Sequence, residues 1–338
     1  MLIIGIAGTE LAPHERDWLA TPAVSGVILF SRNFASRTQV TELVAELRER
    51  RPGPFLVSVD QEGGPVQRFR SGFTRLPALA RIGEVYDRDP RLALALAEEH
   101  AWLMATEMRA IDIDQSYAPV IDLKRGNRVI ADRAFHGDPA VVSALGLAYL
   151  RGMRLAGMAA TIKHFPGHGT VLEDTHIERA SDPRTLDDLA AADLVPFADA
   201  IAAGAEAVMM SHVTYPAVDA QPAGYSRRWI EEILCGRYGF RGVVFSDDIS
   251  MAAAETAGGI GARIEAHRTA GCDLVLVCHP KVVPEALAAQ RDAAPCDPAR
   301  VASLRGAVAQ RWDDLVDNPQ RERFLARIAA LDGAATSA

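Results

Sequence analysis

Cysteine, positive charge and long apolar runs are all scarce in this chain, and each scarcity excludes something. Four cysteines in 338 residues (Cys235, Cys272, Cys278 and Cys296) are too few and too scattered for a disulfide-dense secreted fold. Lysine and arginine total 36 against 44 aspartates and glutamates, and the resulting net charge of −8 argues against a general nucleic-acid binder. No stretch approaches the roughly eighteen uninterrupted apolar residues that span a bilayer. The apolar N-terminus MLIIGIAG has no basic residues before it and is too short for the core of a signal peptide, so it reads as a first buried strand. No GxxxxGK phosphate loop is present, no GxGxxG follows the first strand, and HExxH and CxxC are both missing. These absences leave a cytoplasmic protein with no membrane or nucleic-acid partner as the expectation.

What is there is a core-forming composition, 49% apolar and 24% charged, arranged in a repeated alternation. Short apolar or β-branched runs fall at 2–7, 26–30, 55–60, 117–122, 158–163, 205–212, 242–248 and 273–278. Their continuous apolar character is what strands covered by helices require. Helical spacing is predicted between them at 12–20, 38–50, 91–110, 138–155, 187–203, 228–235, 253–270 and 283–291. Eight such units predict a single (β/α)8 barrel over residues 1–332, with 333–338 as a flexible tail. Cys272 and Cys278 flank the run DLVLV and read as small buried hydrophobes.

Polar residues give that rhythm a direction. Asp60, Asp122, Lys163, His212 and Asp247 each fall at or just after the C-terminal end of a predicted strand, the rim on which barrel active sites are built. Two long connections interrupt the pattern. Residues 61–90 read as a rim loop with partial structure. Residues 164–186 are rich in glycine, histidine and acid, and a connection of that length is uncommon unless it binds or closes over something.

The densest polar stretch is KHFPGHG at 163–169, followed by Asp174-Thr175-His176. An aspartate two residues before a histidine can orient its ring and raise its basicity if the backbone bends suitably. The histidines at 164, 168 and 176 with Asp174 also form a conceivable metal set, although their spacing matches no familiar zinc signature. A second focus is Phe245-Ser246-Asp247-Asp248, where a carboxylate at a strand end can act as nucleophile or charge stabiliser. Adjacent strand residues point in opposite directions, so the residues alone leave open which of the two acids faces a site. Asp60 is the third, exposed by the paired glycines of DQEGG, with Arg68 and Arg133 as nearby donors; Asp132 is better explained by a rim ion pair.

Together these segments resemble glycoside hydrolase family 3, most closely its short bacterial cytoplasmic β-N-acetylglucosaminidases. GVILFSRN (26–33), VDQEGGPVQR (59–68), APVID (118–122), VIADRAF (129–135), KHFPGHG, DTH (174–176), MMSHVTYP (209–216) and FSDDISM (245–251) occur in the family's order along most of the chain. The resemblance implies a one-barrel retaining enzyme with no cofactor or metal, expected as a monomer. It implies Asp247 as nucleophile and His176 paired with Asp174 as acid/base. Asp60, Arg68, Arg133, Lys163 and His164 would bind the sugar, with His212 and Met251 as pocket wall. The implied substrate is a terminal β-linked N-acetylglucosamine on a muropeptide such as N-acetylglucosaminyl-1,6-anhydro-N-acetylmuramic acid. A family-3 β-glucosidase, a broad exo-glycosidase, a phosphorylase and a non-catalytic sugar-binding barrel are the competing readings.

Overall fold

The computed structural model describes residues 1–172, 180–291, 296–307 and 311–333. Eight parallel strands form one sheet: β1 (Leu2–Gly5), β2 (Val24–Leu29), β3 (Leu56–Val59), β4 (Gln115–Ser116), β5 (Thr161–Phe165), β6 (Ala207–Met210), β7 (Val243–Asp248) and β8 (Leu274–Val277). Their order in space is β4-β3-β2-β1-β8-β7-β6-β5. The two ends meet through a parallel bridge between Val120 and Lys163, and Thr161 N–H donates to the Ala118 carbonyl at 2.9 Å. The sheet is therefore a barrel. The fourth predicted strand, 117–122, pairs in a ladder only just before that range, at Gln115–Ser116. Pro119 within the run has no N–H to give, so the chain stays extended but joins β5 at a single bridge.

Alternation along each strand divides the core in two. Ile3, Ile28, Leu56, Met209, Phe245, Leu274 and Leu276 pack with Tyr117 as one buried cluster that fills the barrel. Their neighbours Leu2, Ile4, Val27, Val57, Val208, Val244 and Val275 join the larger cluster under the helices. Cys272 and Cys278 are buried, as their apolar setting predicts.

The outer helices start where the chain supplies caps. Ser36 accepts from Gln39 N–H ahead of α1 (Arg37–Arg50), Asp89 accepts from Leu92 N–H ahead of α2 (Pro90–Arg109), and Asp138 accepts from Ala140 N–H ahead of α3 (Pro139–Leu155). Two predicted helices are broken. The segment 187–203 forms Leu186–Ala190 and Leu194–Ala202, and the break buries Asp193 where Arg184 reaches it at 2.5 Å. The segment 253–270 breaks at Gly258, whose φ of +101° no helix accommodates. Residues 228–235 form a wider π-type helix, Arg228–Arg237. On the rim, 61–90 holds an antiparallel pair, Gln61–Gly63 with Val66–Gln67, and a helix at Leu79–Tyr86. The turn between the paired segments needs glycine, because Gly64 has φ +53° and a Cβ there would lie 2.7 Å from Ala78. Among the described residues no helix is long and apolar enough to cross a membrane.

Candidate active site

The C-terminal ends of β2, β3, β5, β7 and β8 surround a cavity of about 500 Å³. Its lining contains Asp60, Arg68, Arg133, Lys163, His164, Asp247, Asp248 and Met251, with apolar wall from Phe30, Val66, Val129, Met209 and Leu276. Residues scattered over roughly 250 positions of sequence thus meet because they end strands or lie in the loops that follow them.

The floor is a charge network. Lys163 Nζ lies 3.0 Å from Asp60 and 2.6 Å from Glu62. Arg133 grips Glu62 with two parallel bonds of 2.8 Å, and Arg68 reaches Asp60 at 3.2 Å. Burial opposes ionisation of Asp60, but the cations of Lys163 and Arg68 outweigh it and hold the carboxyl far below its ordinary range. Burial works against Glu62 in the same way and loses to Arg133 and Lys163. Arg133 is desolvated too, yet Glu62 keeps its guanidinium more firmly charged than usual. The floor therefore presents fixed charges to a ligand. Asp60 retains unused lone pairs for hydroxyl donors, since an ionised carboxylate has about four acceptor sites.

Beside it, Asp122 anchors the KHFPGHG turn. Its carboxylate accepts from the His164 ring (Nδ1, 2.7 Å), and the backbone N–H groups of His164 (3.2 Å) and His168 (2.8 Å) donate to it as well. Burial tends to raise the Asp122 pKa, but His164 brings it below the usual value. Buried His168 is pushed down to about 4 despite the pull of Asp122.

Lys163 and His164, both expected at the sugar site, line the pocket, and so do Asp247 and Asp248, between which the residues alone left the choice open. Strict alternation fails because the strand registers shift between Lys163 and Phe165 and between Phe245 and Asp248, which re-aims the side chains there. The two acids nevertheless have different surroundings. Asp248 accepts from Ser250 N–H (3.0 Å), Ser250 Oγ (2.5 Å) and Cys278 N–H (3.1 Å), so its carboxylate is engaged in ordering the loop after β7. Asp247 Oδ1 accepts from the Asp248 N–H at 2.8 Å and faces the cavity.

His212, expected in the pocket wall, is not among the lining residues. It is buried behind β7, where its Nε2 donates to the Asp248 carbonyl at 3.0 Å. Asp132 pairs with Lys124 on the rim at 2.8 Å. Asp174 and His176 lie outside the described residues. Among the described residues no three His, Cys, Asp or Glu side chains converge to hold a metal ion. Glu62 and the wall residue Val129 carry no individual signal in the sequence, and Asp122 stands out there only as a strand-end acid. For Glu62 the available signal was the DQEGG turn, which places two acids two positions apart on one loop.

The comparisons with known proteins converge. The profile described as "Glycosyl hydrolase family 3 N terminal domain" matches residues 4–302. The chain is 62% identical over 316 residues to a protein of Stenotrophomonas maltophilia (strain R551-3) named "Beta-hexosaminidase", covering 94% of each. It is 59% identical over 316 residues to one of the same name from Xanthomonas axonopodis pv. citri (strain 306), covering 94% of each. Among solved structures, NagZ from Neisseria gonorrhoeae in complex with N-trifluoroacetyl-D-glucosamine superposes with a TM-score of 0.90 at 40% identity, covering 98% of this chain and 97% of that one.

Proposed function

The chain belongs to glycoside hydrolase family 3, and on that premise we propose that it is a retaining exo-β-N-acetylhexosaminidase releasing terminal β-linked N-acetylglucosamine. The observation that carries the reading is the position of Asp247. It lies in the last two residues of β7, at the wall of a pocket whose floor is built of fixed charges, and its Oδ1 is held by the next amide.

The sugar binds with its hydroxyls on the floor, accepting from Lys163, Arg68 and His164 and donating to Asp60. Arg133 sets that floor through Glu62. Holding the ring before charge develops removes much of the entropic cost of reaching the transition state. Asp247 attacks the anomeric carbon while His176 protonates the departing oxygen. His176 then takes a proton from water, which displaces the sugar from Asp247 with its original configuration. An imidazole, with a reference pKa of about 6.5, suits both halves of this cycle near neutrality, and Asp174 supports its cation.

The physiological substrate in this reading is a muropeptide carrying N-acetylglucosamine on 1,6-anhydro-N-acetylmuramic acid, hydrolysed by a cytoplasmic monomer in cell-wall recycling. Similarity of about 60% to proteins named for hexosaminidase activity favours it over a β-glucosidase.

The test is turnover of an aryl N-acetyl-β-glucosaminide against the matching glucoside, with Asp247→Ala as control. Preference for the N-acetyl sugar and loss of turnover in the variant are expected. Equal rates on both sugars, or an active Asp247→Ala, overturn the assignment.

A further inference from the structure

We propose that His212 is a positioning residue for Asp247, acting through the backbone of Asp248. This rests on Asp247 being the nucleophile.

Asp248 is held at nearly every polar atom. Its N–H goes to Asp247 Oδ1 at 2.8 Å, and its carboxylate is tied to Ser250 and to the Cys278 N–H. Its carbonyl, which can accept twice, receives the Met251 N–H at 3.2 Å and the His212 ring at 3.0 Å. A carbonyl only accepts, so Nε2 of His212 carries the hydrogen. The same turn delivers Asp247 and Met251 to the pocket wall. The Asp248 carbonyl and the Asp248 N–H belong to consecutive peptides that share the Asp248 Cα, so a shift of the Asp248 backbone would displace the amide that orients the Asp247 carboxylate. His212 holds the Asp248 carbonyl directly, while the Ile249 N–H to the Leu276 carbonyl (3.0 Å) and Arg263 to the Ile249 carbonyl (2.8 Å) fix the residue after it.

His212 is itself braced. Its ring lies 5.6 Å from that of His267 and 6.3 Å from that of Tyr225, and the last two are 4.5 Å apart. His267 Nδ1 donates to the Gly224 carbonyl at 2.8 Å, and the Tyr225 hydroxyl donates to the Ala254 carbonyl at 2.7 Å. The fit depends on Gly224, because a Cβ there would stand 2.5 Å from His267 Cε1. All three rings are buried behind β7. This rigid packing passes from the helix Ile260–Ala270 to the nucleophile turn without any of the three touching the cavity.

The experiment compares His212→Leu, which keeps bulk and removes the donor, with His212→Gln, which restores one. Misplacing a reacting group by an ångström can cost about 100-fold, so kcat of the Leu variant falls about 10- to 100-fold with KM within about twofold. The Gln variant recovers most of it, and both retain a cooperative thermal transition. Wild-type kcat in the Leu variant, or equal losses in Leu and Gln, overturns the proposal. If the Leu variant does not fold, His212→Ala takes its place under the same criteria. Asp247→Ala runs in parallel: an active Asp247→Ala removes the nucleophile assignment itself. An inactive one beside an unimpaired Leu variant removes only the role of His212.

Discussion

The two ends of the barrel each bury a knot of carboxylates and cations; at one the carboxylate of Asp60 lines a cavity, whereas at the other Asp114 is enclosed and only its arginine partners reach open hollows. At the N-terminal end, Asp114 precedes β4 and is surrounded by Arg48 (2.6 Å), Arg305 (3.4 Å) and Arg109 (3.5 Å). The Val57 N–H at 2.9 Å and the Gly306 N–H at 3.3 Å complete its coordination. Every acceptor site of that carboxylate is taken, and the packing is close enough that a Cβ on Gly306 would meet the Arg109 guanidinium at 2.1 Å. At the C-terminal end, Asp60, Glu62, Lys163, Arg133 and Arg68 make ion pairs of the same kind, but four of the five also line a cavity. Buried ion pairs are therefore no mark of function by themselves. What separates the two knots is whether a carboxylate with lone pairs left over from the protein's own bonds faces a cavity, as Asp60 does and Asp114 does not.

The contrast breaks if activity and stability do not separate between the ends. The largest effect expected is that of Asp247→Ala, which lowers kcat on the order of 10⁴-fold with little change in Tm, as measured by steady-state kinetics beside thermal melting. Next, Asp114→Ala leaves three arginines around an emptied site and costs about 3–5 kcal/mol of stability in denaturant titration. Its kcat per folded molecule should stay near wild type; a specific loss of turnover there would refute the division.

A smaller effect sharpens the comparison through pH. Among the described partners of Asp114 there is no histidine, whereas the rim side holds two that burial pushes down to about 4, His100 and His168. His100 packs under the Gly63 turn with Nε2 donating to the Pro77 carbonyl at 3.0 Å. A histidine with a lowered folded pKa leaves the unfolded chain binding more protons below about pH 6.5, so stability falls as pH drops from there towards about 4. His100→Gln removes that contribution, and its Tm should decline less steeply than wild type across the window. An unchanged slope assigns the acid sensitivity elsewhere. The smallest effect marks the baseline: Arg227 and Glu231 form an exposed pair one helical turn apart at 2.8 Å, and Arg227→Ala should shift Tm by no more than about 1 °C.

Much of this was legible in the linear sequence, for reasons visible in particular residues. The runs ending at Asp60, Lys163 and Asp247 are mostly apolar and buried, with only Ser58, Thr161 and Ser246 as small polar exceptions, because strands covered by helices outside and packed side chains inside have no wet face. Their terminal polar residues stand out by contrast. Less legible was anything depending on which way a side chain turns at a register shift. Lys163 and His164 reach one pocket against the alternation rule, and Asp247 and Asp248 do likewise. His212 ends up behind the site instead of in its wall, since the chain leaves β6 at Met210 and the ring is drawn to a carbonyl on β7.

Local order thus determined the β/α rhythm, the barrel and the list of polar rim residues, because burial periodicity and chain-turning chemistry are properties of neighbours in sequence. Only the tertiary structure decided which of those residues share a cavity. It alone showed that Glu62 joins Lys163 to Arg133, and that of the two acids lining the pocket Asp248 has its carboxylate tied to Ser250 and the Cys278 N–H. Those outcomes depend on distances between strands far apart in the chain, and hydrogen-bond capacity is settled only when every donor and acceptor around a group has been placed.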